Sequence, residues 1–403
     1  PRCSMEFEGD NCGGRCMIPP TERPMRRQAI VIAPNAFKES LTAARAAEAM
    51  ARGVRAARPD AEIVLLPLSD GGPGFLDALT REGLGATMRE TVTGPLGEPV
   101  TAQWGLRSFL GRPAAVIEMA QAAGMELLPP ERRDPMRTTT FGVGQLMQVA
   151  IHFGVDFILV GLGGSATCDG GIGMAQALGF RFLDEEGGEI PKPATGRDLA
   201  RVAKIVAPPE APRVKVMAAC DVNSPLVGPR GAARVYAAQK GATPAQVKNL
   251  EAGMGNFADV IARDLAIKVR SRAGAGAAGG LGAGLMAFAR ATLERGAALV
   301  CSALKLQTHL SRAALVITGE GAVNEQTPHG KAPWEVFLRA RRRKIPTLML
   351  AGDSSEAPDD MRADPHLHLR AIAPAGTPRE ESMREAARFL EAATREAVAE
   401  ILR

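Results

Sequence analysis

A chain of 403 residues is long for one core and ordinarily divides into two or three domains of roughly 100 to 200 residues. Hydrophobic residues at 46% and charged residues at 23% exclude a mainly disordered protein. A net charge of only +5 and an aromatic content of 4% argue against nucleic acid as a partner.

Residues 1–27 are polar, rich in Pro, Arg and Gly and without helical or strand period, and read as a disordered extension, with Met25 a candidate start. Ala29 to Ala33 is a short continuous apolar run of the kind buried in parallel sheets. A helix follows with Ala43, Ala47, Met50, Val54 and Ala57 on one face, stopping at Arg58-Pro59, and Glu62 to Leu68 forms the next strand. Val143, Leu146, Met147, Ala150 and Ile151 lie on one helical face behind a Thr138-Thr139-Thr140 cap, and Phe157 to Gly161 is the strand after it. Thr243-Pro244 opens a long helix through Val247, Leu250, Met254, Phe257 and Ile261. Leu315 to Thr318 and Thr347 to Leu350 read as buried strands, and Thr377-Pro378 starts one closing helix through Met383, Ala387, Leu390 and Val398. Such alternation predicts an α/β fold with mostly parallel sheets.

The six cysteines make neither a disulfide framework nor paired zinc spacings, which fits a reducing, cytoplasmic setting. Cys168 and Cys220 read as small buried residues. The longest uncharged stretch, 273–289, is mostly Gly and Ala and too weakly apolar for a bilayer span, and the first residues hold no apolar signal core, so no membrane partner is expected.

Four loops share one design, in which an apolar strand runs into Gly and small polar residues with one or two ionisable groups. They are Pro34 to Ser40, Ser69 to Gly74, Gly163 to Gly171 and Gly319 to Gly321. In open α/β sheets ligands bind beyond the carboxyl ends of the strands, where backbone N–H groups and helix N-termini face anions. A single Gly-rich turn is mostly turn chemistry. Together, however, Asp70, Asp169 and Glu320 supply carboxylates and Lys38 a cation, the set that Mg²⁺ and a polyphosphate require. No P-loop motif is present, and no Gly-x-Gly-x-x-Gly follows the first strand. Gly274 to Gly282 reads equally as a phosphate cradle or as a close-packed loop and helix. Asp221, ending the apolar run from Val214, suits a metal or hydroxyl partner as well as a turn cap. Arg339 to Lys344 reads as a solvated helix end, and of the five histidines only His329 lies beside a candidate loop.

Read together, these loops resemble the class II glycerate kinases, also called glycerate 2-kinases, in order from about residue 28 to the C-terminus. Ala33 to Ser40 is similar to that family's Ala-Pro-Asp-Ser-Phe-Lys-Gly-Ser, and Gly163 to Gly171 to its Gly-Gly-Ser-Ala-Thr-Asn-Asp-Gly-Gly. Cys220-Asp221-Val222, Gln239-Lys240-Gly241-Ala242, Gly274 to Gly282 and Ile317 to Gly321 with Gln326-Thr327 and Gly330-Lys331 complete the series. The resemblance implies ATP-dependent phosphorylation of D-glycerate or a related hydroxy acid, typically to 2-phosphoglycerate, with Mg²⁺, in the cytosol; a homodimer is left open. It implies two α/β domains: a discontinuous flavodoxin-like or Rossmann-like domain of residues 28–90 and 292–403, and an inserted α/β domain of residues 91–291. The expected catalytic residues are Lys38, Asp70, Asp169 and Glu320, with Asp169 and Asp221 on the metal. Substrate and phosphates fall to Ser40, Gly71, Gly72, Gly163, Gly164, Ser165, Thr167, Gly279, Gly280, Gln326, Thr327 and Lys331.

The departures lie in the loops. Pro73 stands for a family Glu, Ala322 for Arg, Asn324 for Asp, Asn35 and Ala36 for Asp and Ser, Glu39 for Gly, Cys168 for Asn and Ser224 for Asn. Asn324 takes no proton from a hydroxyl and Ala322 makes no bidentate clamp. Two alternatives to the glycerate kinase reading follow: a catalytically impaired paralogue that binds nucleotide or metabolite as a sensor or partner subunit, and a kinase with a different hydroxy-acid acceptor.

Overall fold

The apolar run at the start of the sequence forms a fully buried strand, β1 (Ala29–Ile32), because its Ile and Val side chains fit a pleat covered on both faces. In the computed structural model, which describes residues 29–403 except Glu82, Ala211 and Pro212, twelve further strands follow. They are β2 (Ile63–Leu65), β3 (Gly85–Thr93), β4 (Pro99–Phe109), β5 (Arg112–Glu118), β6 (Phe157–Gly161), β7 (Arg181–Leu183), β8 (Lys204–Val206), β9 (Lys215–Ala219), β10 (Thr292–Glu294), β11 (Ala313–Ala322), β12 (Thr347–Asp353) and β13 (Leu367–Ala371). The expectation of a disordered extension over residues 1–27 lies outside the described residues.

One sheet runs β13-β12-β11-β1-β2 and is parallel throughout. Parallel neighbours need crossover helices, and helix Ala43–Ala57 supplies the first, started by the Thr42 hydroxyl accepting from the Arg45 amide at 3.3 Å. It packs beside helix Ala386–Ile401 over Ile30, Ile32, Leu315 and Ile317. Gly53 is required at that crossing, since a Cβ there would lie 2.8 Å from Thr394 Cβ.

The second sheet runs β10-β9-β6-β5-β4-β3, parallel from β10 to β5 and antiparallel from β5 to β3. The sequence offered no signal for this meander, because β3 is an exposed edge strand of Thr, Arg and Glu rather than an apolar run. By pairing, Gly85–Thr93 and Thr292–Glu294 both belong to this sheet. Val31, Leu66 and Val316 from the first sheet share one buried cluster with Val116, Phe157 and Leu159 from the second, with Val300 and Val336 between them. The mouths of both sheets thereby open onto common space.

Three element expectations need correction. The strand at 62–68 narrows to Ile63–Leu65, although the Leu66 and Leu68 amides still donate to the Ile32 and Pro34 carbonyls at 2.8 Å. The closing helix is two, Arg379–Arg384 and Ala386–Ile401, with a break at Glu385, and the Ser40 hydroxyl donates to the Met383 carbonyl at 2.8 Å near that break. Of the three threonines expected to cap helix Phe141–His152, Thr139 accepts from the Phe141 amide at 3.2 Å, whereas the Thr140 hydroxyl donates to Asp169 instead. The Thr243-Pro244 helix, by contrast, starts with a reciprocal capping box between Thr243 and Gln246 and runs Pro244–Leu265. No helix among the described residues is long and apolar enough to cross a membrane.

Candidate active site

A cavity of about 1140 Å³ opens at the carboxyl ends of β1, β2, β6 and β9, walled by the loops that leave those four strands and by residues 236–240 and 277–278. Two of the four sequence-expected loops therefore come from one sheet and meet a third from the other, as a ligand site at a strand-end crevice requires.

Asp70 is the junction. One carboxylate oxygen accepts from Asn35 Nδ2 at 2.7 Å and the other from the Ala332 amide at 2.7 Å, at the start of helix Ala332–Arg341. Burial pushes its pKa above the usual carboxylate range, opposed by those two hydrogen bonds and by the fields of Lys331 and Lys38. Asp221, after β9, accepts from the Gly296 amide at 2.9 Å at the start of helix Gly296–Ala303. Desolvation by the surrounding walls, with repulsion from Asp70, pushes it up to about 7. Lys38 lies exposed on the same wall.

Gly71 and Gly163 are needed where the loops touch, since a Cβ on Gly163 would collide with Gly72 Cα. Gly71 has φ +91°, its carbonyl accepts from the Gly163 amide at 3.0 Å, and a Cβ on it would stand 2.6 Å from Ala219 Cβ. Gly72, Gly163, Gly164, Ser165 and Ser40 also line the cavity, although the Ser40 hydroxyl is already donated to Met383.

Other expected site residues stand elsewhere. Asp169 is 0% exposed and accepts from the Thr140 amide at 2.8 Å, the Thr140 hydroxyl at 2.7 Å, the Gly171 amide at 3.1 Å and the Gly173 amide at 3.3 Å. It ties together the starts of helices Phe141–His152 and Ile172–Ala177 and does not line the cavity. Thr167 is likewise buried. Gly279 and Gly280 are buried against 167–170, where a Cβ on Gly279 would collide with the Thr167 carbonyl, while Ala277 and Ala278 of the same stretch line the cavity. Glu320, its pKa raised by burial against the pull of Lys331 and Thr327, holds Thr327 at 3.0 Å and Lys331 at 3.0 Å. None of the three lines the cavity, but Lys331 immediately precedes Ala332, the amide that grips Asp70, and its field reaches that carboxylate. Gln326 is exposed and lines nothing there.

Of the departures in charge, Asn35, Glu39 and Pro73 line the cavity, whereas Ala322 and Asn324 do not. Asn324 Oδ1 accepts from the Gln326 amide at 3.1 Å, a turn contact that Asp and Asn make equally well. The thiols of Cys168 and Cys220 are both held above the ordinary cysteine range by burial, the latter pushed up to about 11, which suits small packed residues.

Sequence reasoning missed Lys240 as a site residue, although it stands in the quoted Gln239-Lys240-Gly241-Ala242 motif. It is 2% exposed yet lines the cavity, its Nζ donating to Ser165 Oγ at 2.7 Å and the Thr167 carbonyl at 2.7 Å. It also missed Glu118, at the end of β5, whose carboxylate accepts from the Leu76 amide at 3.2 Å behind the Ser69 to Gly74 loop. Burial, then repulsion from Asp77 and Glu126, raises Glu118 from 4.5 to about 7. A carboxyl with a raised folded pKa favours the protonated fold, so its contribution is present below about 4.5 and lost as pH rises through about 7. The ligand-free chain is expected to lose on the order of 3 kcal/mol from this group between pH 4.5 and 8, and Glu118→Gln to flatten that slope, as read by urea unfolding.

The model of the Glycerate kinase family matches residues 30–402. The chain is 46% identical to a glycerate kinase of Halalkalibacterium halodurans, over 80% of this chain and 85% of that one. It is 44% identical to a glycerate 2-kinase of Escherichia coli, over 81% of this chain and 86% of that one. A crystal structure of a putative glycerate kinase 2 from Salmonella typhimurium LT2 superposes with a TM-score of 0.81 at 40% identity, covering 93% of this chain and 98% of that one. With its two α/β sheets, its strand-end cavity and a family match across nearly the whole described length, the chain belongs to the glycerate kinase family.

Proposed function

We propose that the chain transfers the γ-phosphoryl group of ATP to D-glycerate, giving 2-phosphoglycerate, in the cytoplasm. The observation that carries this reading is that Lys38, Asp70 and Asp221 converge on one strand-end cavity in a chain of this family. Asp70 accepts the proton of the attacking hydroxyl. Its raised pKa makes it a stronger base than a free carboxylate, and Asn35 and the Ala332 amide orient it. Lys38, at the exposed side, neutralises charge on the phosphates. The glycine backbones of 71–72 and 163–164 let a phosphate approach closely.

Asp221 lines the cavity close enough to Asp70 to be repelled by its charge, an oxygen donor that fits Mg²⁺. Among the described residues no cluster of three or more His, Cys, Asp or Glu side chains forms a complete cage, so the ion would complete its shell with phosphate oxygens and water. When bound, it supplies neutralisation of the β- and γ-phosphate charge. We further divide the chain into two α/β units along the lines of its two sheets. Strand pairing favours boundaries near 84 and 295 over 90 and 292.

A coupled ADP-release assay with Mg²⁺-ATP and D-glycerate tests the reading. Glycerate-dependent turnover that falls at least about tenfold in Lys38→Ala is expected. No turnover with glycerate or related hydroxy acids would sink it, and turnover unchanged in Lys38→Ala would point to a contaminating kinase.

A further inference from the structure

Lys240 is an ammonium in the cavity wall, 2% exposed, whose two hydrogen-bond partners are both neutral. Asp169, the carboxylate whose field reaches it, is bound up by four donors of its own. An ammonium has three protons, so one remains beyond those given to Ser165 and Thr167. Ser165 Oγ accepts from Lys240, which leaves its own proton to donate, and both residues line the cavity. A buried cation without a counter-ion is costly, and the cost is relieved when an anion arrives. Burial also holds the Lys240 pKa below the ordinary lysine value, against the fields of Cys168 and Asp169.

We propose that Lys240 and Ser165 seat the carboxylate of the hydroxy-acid acceptor within the cavity; this rests on the kinase reading above. A single buried ammonium matches a singly charged group. The multiply charged phosphates of a nucleotide suit the exposed side, where Lys38 stands in water. The seat makes a charge-assisted pair with Lys240 and a hydroxyl hydrogen bond with Ser165, so it selects hydroxy acids over neutral polyols. It also leaves the acceptor hydroxyls free to turn toward Asp70.

Steady-state kinetics of the full chain test this, with D-glycerate and, as the acceptor lacking a carboxylate, glycerol. Lys240→Met is expected to raise the glycerate KM about 10- to 100-fold, leave the ATP KM within about twofold, and shrink the preference for glycerate over glycerol by the same factor. Ser165→Ala is expected to raise the glycerate KM about fivefold to tenfold. An active wild type whose glycerate KM is unmoved by Lys240→Met, or whose ATP KM rises instead, overturns the seat. Should Lys240→Met fail to fold, Ser165→Ala decides, and an unchanged glycerate KM overturns the proposal. If the wild type turns over no glycerate, the kinase reading fails on its own. Calorimetric titration of D-glycerate into wild type and Lys240→Met then judges the seat: binding lost in the variant supports it, and equal or absent binding in both rejects it.

Discussion

Asp70→Asn is expected to lower kcat/KM for glycerate by about 10²- to 10⁴-fold, the range for removing a positioned general base. The substitution keeps one oxygen for the Ala332 amide and preserves side-chain volume, so the start of helix Ala332–Arg341 should hold. Basicity is lost, and with it the negative charge that Asp70 shares with Asp221 beside Lys38. Kinetics in parallel with urea unfolding check the prediction. Unfolding near the wild-type midpoint with kcat/KM reduced is the expected pair of results, and near-normal kcat/KM would remove Asp70 from the chemistry. Because Asn35 donates to Asp70 at 2.7 Å, Asn35→Ala should show the same direction with a smaller loss.

Asp169→Ala is expected to cost stability rather than chemistry, by about 3 kcal/mol or more. Its carboxylate is the acceptor for three amides and one hydroxyl in a dry interior, and alanine leaves all four without a partner. Denaturant unfolding should show a lower midpoint, and assays at low temperature, where the variant stays folded, should retain glycerate turnover. A fall in kcat with unchanged stability would return Asp169 to the catalytic role that its place in a Gly-rich loop first implied.

These two aspartates mark the limit of what the loops revealed on their own. Asp70 and Asp169 look alike in the sequence, each following a small polar residue or thiol and preceding Gly-Gly after an apolar strand. One is half-buried on a cavity wall, and the other is sealed beneath two helix starts. The difference lies in what packs against them, residues 138–141 over Asp169 and 332 beside Asp70, which are distant in the chain. The same holds for Gly163 and Gly279, where the first meets Gly71 at the cavity and the second is pressed on the Thr167 backbone. Lys240 escaped notice as a site residue because nothing local in Gln239-Lys240-Gly241-Ala242 separates an inward lysine from a solvated one, and only the fold turns it inward.

The α/β class, the buried parallel strands and the family resemblance were determined by the sequence itself. They depend on local signals: apolar runs of strand length, a 3.6-residue period, Thr and Pro at helix starts, and ordered Gly-rich motifs. The antiparallel meander, the division of carboxylates between cavity and interior, and the inward turn of Lys240 were decided by tertiary structure alone. Each of these depends on desolvation and on partners brought from far along the chain, and a side chain's solvent and partners are set only when the two sheets close over their shared core.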